Sequence, residues 1–430
     1  MNGIAARPTA VRWRVLALLV AASFVSYVLR YNVSTAGPAM IEDLSLTEIQ
    51  FGWILAAFTA GYTVFQFPGG VLGDRFGPRR ALAAIAVAWF VLTILTSFVP
   101  AGNDSSVFLI VASLIVVRFL VGAAHAPIYP LTNCVIERWF PIGCWALPQG
   151  LTSVGLTVGT AVTAPVLAWM LLQYGWRLSF IMLAPLGLAV TALWWWYVRD
   201  DPGEHRSVNQ AEVELILANR PPLEEAADAA PAWLRVLKNR DVLLLTLSYA
   251  CMNFTFYEMF NWVFYYLVSI REVASQEAGF LTSFLWIAGA AGALSGGLVC
   301  DALTRRFDIG RGCRWTGMTC MLASGLLLLL AALSASVYLT VACLCACFLC
   351  NQMTEGAYWA ASMGVGGRHA AAAGGVMNTG ANAMGFVNSL LVPFIAGMFG
   401  WTAAIATGTL FALIGAVLWL FIRADRQMPE

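Results

Sequence analysis

Charge is what this sequence has least of. Asp, Glu, Lys and Arg together make up 11% of its 430 residues, against about 25% in a typical soluble domain. That is too little polar surface to keep the chain in water. There is one lysine, Lys238, among basic residues that are otherwise all arginine, a bias that fits a GC-rich bacterial genome. No nucleotide-binding loop is present, so ATP-driven work has no support. No nucleophile–base pair and no metal-ligand set stands out, so neither an enzyme, a metal site nor a cofactor is expected. The ten cysteines lie mainly in or beside apolar runs, with Cys343, Cys345, Cys347 and Cys350 in a single run. They read as buried free thiols rather than as a disulfide framework or a metal site. The ten-residue alternating segments of a membrane barrel are missing as well.

What the sequence does have is hydrophobic length. Apolar residues make up 60% of the chain and mean hydropathy is +0.76, with a net charge of only +1. Runs of roughly 20 residues, enough to cross about 30 Å of hydrocarbon as helix, fall at about 13–38, 48–73, 80–99, 106–133, 146–172, 177–198, 241–268, 277–300, 315–335, 337–362, 371–397 and 402–423. An all-α membrane protein with twelve transmembrane helices follows. Arg7, Arg12 and Arg14 precede the first run, which is too long for a signal peptide and reads as an uncleaved anchor. Placing both termini in the cytoplasm puts every basic residue on that side except four: Arg177 and Arg271 outside, Arg30 and Arg118 inside helices.

The sequence also repeats itself. Gly70-Val-Leu-Gly-Asp74 closes the second run and Gly297-Leu-Val-Cys-Asp301 the eighth, 227 positions on. Gly175-Trp176 and Gly400-Trp401 precede the sixth and twelfth runs, 225 apart. Two six-helix bundles, 1–198 and 241–430, are therefore expected, joined by a polar cytoplasmic linker over 199–240 in which 211–216 has the pattern of a short surface helix. The Gly155-xxx-Gly159 spacing implies close helix packing. The many tryptophans, Trp194, Trp195 and Trp196 among them, read as interface anchors or lipid-facing bulk.

The stretch Gly70-Val-Leu-Gly-Asp74-Arg75-Phe-Gly77-Pro-Arg79-Arg80, together with Arg118-Phe-Leu-Val-Gly122, resembles the signatures of the major facilitator superfamily. Arg30-Tyr-Asn32, Gly122-xxx-Ala126-Pro127-xx-Pro130, Arg138-Trp-Phe-Pro141 and Gly375-Val-Met-Asn378 resemble its anion:cation symporter family, which includes bacterial sugar-acid carriers. That resemblance implies the major facilitator fold, with helices one, four, seven and ten lining a central cavity. It also marks departures. Galactonate-type members carry an Asp where this chain has Leu29, a Glu where it has His125, a Gln where it has Leu156, and a charged pair where it has Cys144-Trp145. The two acids that would carry a proton in those relatives are missing.

An ionisable group inside a bilayer is costly unless paired or facing a cavity, so each is a candidate for function. Five lie deep: Arg30, Arg118, His125, Glu258 and Glu355, all on the four helices just named. A guanidinium offers a rigid fork of donors to an anion, so Arg30 and Arg118 are expected to bind substrate, a structural ion pair being the alternative for each. Asn378 is expected to contact substrate through its amide, and Tyr257 joins the set as the residue one repeat from Arg30. His125, Glu258 and Glu355 are the candidates for proton coupling, against a backbone-bonded histidine or a static Arg–Glu bridge. Glu258 is expected to face Arg30. Asp74, Arg75, Arg79, Arg80 and Asp301 are assigned to gating.

The expected protein is thus a monomeric carrier in a bacterial inner membrane. It would take up a small organic anion, such as a sugar acid or aromatic acid, with protons as the coupling ion and sodium as the alternative, and would have no nucleic-acid partner. An exporter, a zwitterion or cation carrier, and a non-transporting sensor are the rivals.

Overall fold

The structure, a computed structural model, describes residues 7–100, 106–141, 146–217, 236–366 and 370–425; of 67–75, 146–147, 149 and 370–372 it describes the backbone alone. It is built from helices: α1 (Val11–Asp43), α2 (Glu48–Phe76), α3 (Pro78–Ser97), α4 (Val107–His125), α5 (Ile128–Trp139), α6 (Ala146–Leu183), α7 (Pro185–Tyr197), α8 (Gln210–Leu217), α9 (Arg240–Asn261), α10 (Ser275–Arg306), α11 (Ile309–Leu333), α12 (Val337–Met353), α13 (Glu355–Gly366), α14 (Ala370–Phe399) and α15 (Trp401–Leu418). Past Asn261 the chain winds on through Val263–Tyr265 and a π-helical turn, Tyr266–Ile270. No strand occurs among the described residues.

Nine stretches of the described residues are long and apolar enough to cross a membrane. One of them, Gly150–Tyr197, is 48 residues long and is interrupted at Gly175. With that stretch divided, and with α2 and α9 added, the twelve expected spans are present. Gly175 (φ 69°, ψ 169°) and Gly400 (φ 83°, ψ 165°) adopt the same left-handed backbone at the two repeat-related turns. A side chain is strained there, which is why both turns use glycine.

The fourth and tenth spans are each broken in mid-course. α4 ends at His125 and α5 begins after Pro127, which has no N–H to continue the ladder. α12 ends at Met353 and α13 begins after Thr354, the position 227 residues beyond Pro127. Glycines set the helix spacing around these breaks. A Cβ on Gly155 or Gly159 would lie 2.6 and 2.5 Å from the carbonyl oxygens of Val20 and Phe24, so α6 lies close against α1, as the spacing implied. Gly61 and Gly122 join α2 to α4 by equally close contact, and Gly292 and Gly296 join α10 to α12 in the matching place.

α1 to α7 pack on one another, as do α9 to α15, and the two groups meet along α6–α10 and α2–α14. Among the described residues, the hydrogen bonds between them lie at mid-depth or toward the end that carries Gly175 and Gly400. Ser283 Oγ donates to the Ala161 carbonyl at 2.6 Å. At that end Glu48, at the start of α2, accepts from the Tyr265 hydroxyl at 2.7 Å and the Trp401 indole N–H at 3.2 Å. Its neighbour Asp43 is held from the other side: the Trp176 indole donates to it at 2.9 Å and Arg177 forms an ion pair with it.

The linker is fastened to the first group by acids. Ala10 provides no side-chain cap for α1. Glu212 of α8, fully buried, does so instead, accepting from the Thr9 hydroxyl, the N–H groups of Val11 (3.1 Å) and Arg12 (3.2 Å), and the Arg12 guanidinium (3.0 Å). Asp200 caps α3 by accepting from the Arg79 N–H at 2.9 Å. Burial pushes the Glu212 carboxyl up, but the hydrogen bonds from Thr9, Val11 and Arg12, with the Arg12 charge, outweigh it and hold it below its ordinary 4.5. A lowered folded-state value makes the ionised acid stabilising. That contribution is full above the unfolded value and drains as pH falls through the lowered one. Glu212→Gln is therefore expected to cost about 1–2 kcal/mol at neutral pH, the scale of a lost helix cap, with the cost shrinking on acidification. Melting curves in detergent across that range test it, and a cost independent of pH would refute the charged cap.

Candidate functional site

Arg30 lies halfway along α1 and is only 5% exposed. Its Nη1 donates to the hydroxyl of Tyr27, one turn earlier, at 3.0 Å. Its Nη2 donates across to the Tyr257 hydroxyl of α9 at 3.2 Å. That hydroxyl in turn donates to Asn382 Oδ1 of α14 at 2.9 Å, and Asn382 Nδ2 reaches Gln66 Oε1 of α2 at 3.4 Å. A polar chain thus leaves the first group of helices at Arg30 and returns to it at Gln66.

Aromatic rings fill the remaining space. The guanidinium carbon of Arg30 is 5.1 Å from the centre of Tyr27, 5.0 Å from Phe58, 5.1 Å from Tyr62 and 5.0 Å from Phe260. Arg118 of α4, 3% exposed, lies 4.9 Å from the same Phe58 ring. Among the described residues no carboxylate lies within ion-pair distance of either arginine. The Nε atom of each is buried without a hydrogen-bond partner. A buried, unpaired ion costs several kcal/mol, and a desolvated ring contact returns about 2 kcal/mol. The arrangement favours the arrival of an anion.

His125, at the last residue of α4, is also packed against Phe58, ring centres 5.6 Å apart, and stacks on Trp89 at 4.6 Å. Nδ1 lies 2.9 Å from the Val121 carbonyl and Nε2 3.3 Å from that of Ser26. Both neighbours are acceptors, so a neutral ring donates to one of these carbonyls and only the protonated ring donates to both. Phe58 is the residue on which Arg30, Arg118 and His125 converge.

The two glutamates lie elsewhere. Glu258 does not face Arg30: the residue that does is its neighbour Tyr257. One step along a helix turns a side chain by about 100°, and Glu258 points instead into the second group, against Gly408 of α15 and beside Leu328 of α11. It is fully buried and neither carboxyl oxygen has a hydrogen-bond partner. Glu355 opens α13 and accepts from the Tyr249 hydroxyl at 2.8 Å and the Trp359 indole at 2.9 Å, a fastening within the second group. On α14, Asn382 rather than Asn378 joins the Arg30–Tyr257 pair; Asn378 takes part through its backbone carbonyl, which accepts from Asn382 Nδ2 at 2.9 Å.

Of the residues assigned to gating, Asp74 and Arg75 lie outside the described side chains. Arg79 donates to the Trp195 carbonyl at 2.5 Å and rests over that residue's ring, a contact within the first group of helices rather than across to the second. Arg80 and Asp301 are exposed.

Residues 19–388 match the sequence model of the Major Facilitator Superfamily. The chain belongs to that superfamily. It is 28% identical to a probable sulfoacetate transporter, SauU, of Cupriavidus necator, over 89% of this chain and 87% of the relative. It is 28% identical to a hexuronate transporter of Bacillus subtilis (90% and 88% covered) and 27% identical to a D-galactonate transporter of Escherichia coli (98% and 97% covered). The resemblance to sugar-acid carriers read from its motifs is thus borne out. Among solved structures, a bacterial homologue of the lysosomal transporter Spinster, inward-facing and unoccupied, superimposes with a TM-score of 0.80 at 17% identity, covering 98% of this chain and 99% of the other. The partially occluded, inward-open xylose transporter XylE of E. coli gives 0.70 at 14% identity, covering 96% and 97%. This major facilitator protein is a multi-pass membrane protein with the fold its sequence implied.

Proposed function

We propose that this protein is a secondary active transporter that takes up a small organic anion by proton symport, and that the bundles 1–198 and 241–430 rock to expose the site to either side in turn. The observation that carries this reading is the pair Arg30 and Arg118: two buried guanidinia on one ring, with no carboxylate partner among the described residues. Relatives named for sulfoacetate, hexuronate and galactonate support an acid as the substrate. With the termini in the cytoplasm of a bacterial inner membrane, the Glu48–Tyr265–Trp401 contact closes the outer side.

For the proton, Glu258 is preferred. Glu355 is held by two donors, whereas the buried Glu258 carboxyl has no hydrogen-bond partner and would be least costly there as the neutral acid; His125, set between two carbonyl acceptors, is the rival. Counterflow in proteoliposomes with a panel of carboxylates, amino acids and cations tests the proposal. Carboxylates are expected to exchange and cations are not; exchange of cations alone would overturn it.

A further inference from the structure

Among the described residues, the charges of this site have no counter-charge. Arg30 and Arg118 lie 5.0 and 4.9 Å from the centre of a single ring, Phe58, so their guanidinium carbons can be no more than about 10 Å apart, a span that a short molecule with an acidic group at each end can bridge through two guanidinium–carboxylate contacts. The polar groups bonded around Arg30 are neutral: the hydroxyls of Tyr27 and Tyr257 and, behind them, the amides of Asn382 and Gln66. Leu29, beside Arg30, is apolar, and His125, two turns beyond Arg118, carries no negative charge in any protonation state. The acids of α9 and α13 are turned away: Glu258 lies against Gly408 and Glu355 is bonded to Tyr249 and Trp359. Each arginine keeps a buried Nε donor without a partner.

We propose that the substrate is a compact dianion, a short molecule with an acidic group at each end, one group meeting Arg30 and the other Arg118. This rests on the organic-anion reading and narrows it. A guanidinium has five donors in a fixed fork, matched to one carboxylate or sulfonate. A monoanion bound to Arg30 leaves Arg118 buried and unpaired, a state that costs several kcal/mol. A dianion neutralises both. The sequence alone fits any small carboxylate; two cations unopposed among the described residues select among them by charge.

The test uses the full-length protein in proteoliposomes at a pH where both acids are ionised. Malonate, succinate and sulfoacetate compete against an exchanging carboxylate, each beside its own monomethyl ester, which keeps the shape and removes one charge. At least one dianion is expected to compete about tenfold or more better than its ester, the scale of one charge-assisted contact. Arg118→Gln is expected to bring that preference to within about twofold, and Arg118→Lys, which keeps a charge but not the fork, to leave an intermediate value. Gel filtration and the ability to exchange any carboxylate at all establish that each variant is folded. If esters compete as well as every dianion, or if the preference survives Arg118→Gln, the two-charge assignment is wrong while the organic-anion reading stands. If no anion of either kind exchanges and a cation does, both fall.

Discussion

Arg30→Lys is expected to raise the half-saturation for substrate about 10- to 100-fold while leaving insertion and folding intact. The magnitude is that of one hydrogen bond to a charged group, about 1.5–3 kcal/mol. Lysine retains the positive charge, so the electrostatic draw on an anion persists. What it loses is the planar fork, and with it the two-pronged grip on a carboxylate. It also loses the bonds that Arg30 makes simultaneously to Tyr27 and Tyr257, and so the link from α1 to the Asn382–Gln66 pair. Uptake kinetics and direct binding in detergent measure the effect. An unchanged half-saturation would show that Arg30 is a structural cation held by its rings and not a substrate contact.

Glu258→Gln is expected to abolish pH-driven accumulation while sparing counterflow of substrate down its own gradient. Gln has the volume of the acid and cannot take up or release a proton. Comparison with Glu355→Gln and His125→Asn assigns the step, since those side chains are bonded to Tyr249 and Trp359 and to the Val121 and Ser26 carbonyls respectively. Their substitution should weaken stability before coupling. Should Glu258→Gln accumulate substrate normally under a pH gradient, the proton travels elsewhere, or the driving ion is sodium. The route this proton would take differs from the one the sequence implied. With Glu258 turned away from Arg30, anion and acid do not compete for one guanidinium. Coupling between them would run through α9, which carries both Tyr257 and Glu258.

That difference shows where sequence reasoning stopped. Hydropathy located the spans because bilayer thickness imposes a length on every helix, and the repeat found the turns at Gly175 and Gly400, whose shared backbone needs glycine. It also placed Arg30 opposite position 257, and the hydroxyl there bonds it. The expectation then moved one residue to the charged neighbour, because a charge is more conspicuous in an apolar helix than a tyrosine is. The same bias favoured Asn378, within a recognisable motif, over Asn382 one turn on. Phe58 gave no signal at all, since a phenylalanine in a membrane span is ordinary until two guanidinia are found on its face. Glu212 was hidden for a different reason. Its partners, Thr9, Val11 and Arg12, are about two hundred positions away, and helix capping is normally sought within a few residues.

The two tryptophans of the duplicated turns make unequal demands on motion. Trp176 and Arg177 tie Asp43 to helices of its own half, whereas Trp401 and Tyr265 reach over to Glu48. One copy of the turn is a weld and the other a clasp, at the two ends of the same four-residue connection between α1 and α2. In the proposed rocking motion, parting the bundles at that end would leave the weld whole, and the connection would travel as a rigid piece with the first bundle. Part of the energetic threshold then lies at the clasp, one carboxylate shedding two donors at about 1.5–3 kcal/mol each, beside ring contacts such as that of Phe51 with Trp262. A single substitution, at Glu48, would lower that part of the threshold without touching the proposed substrate site.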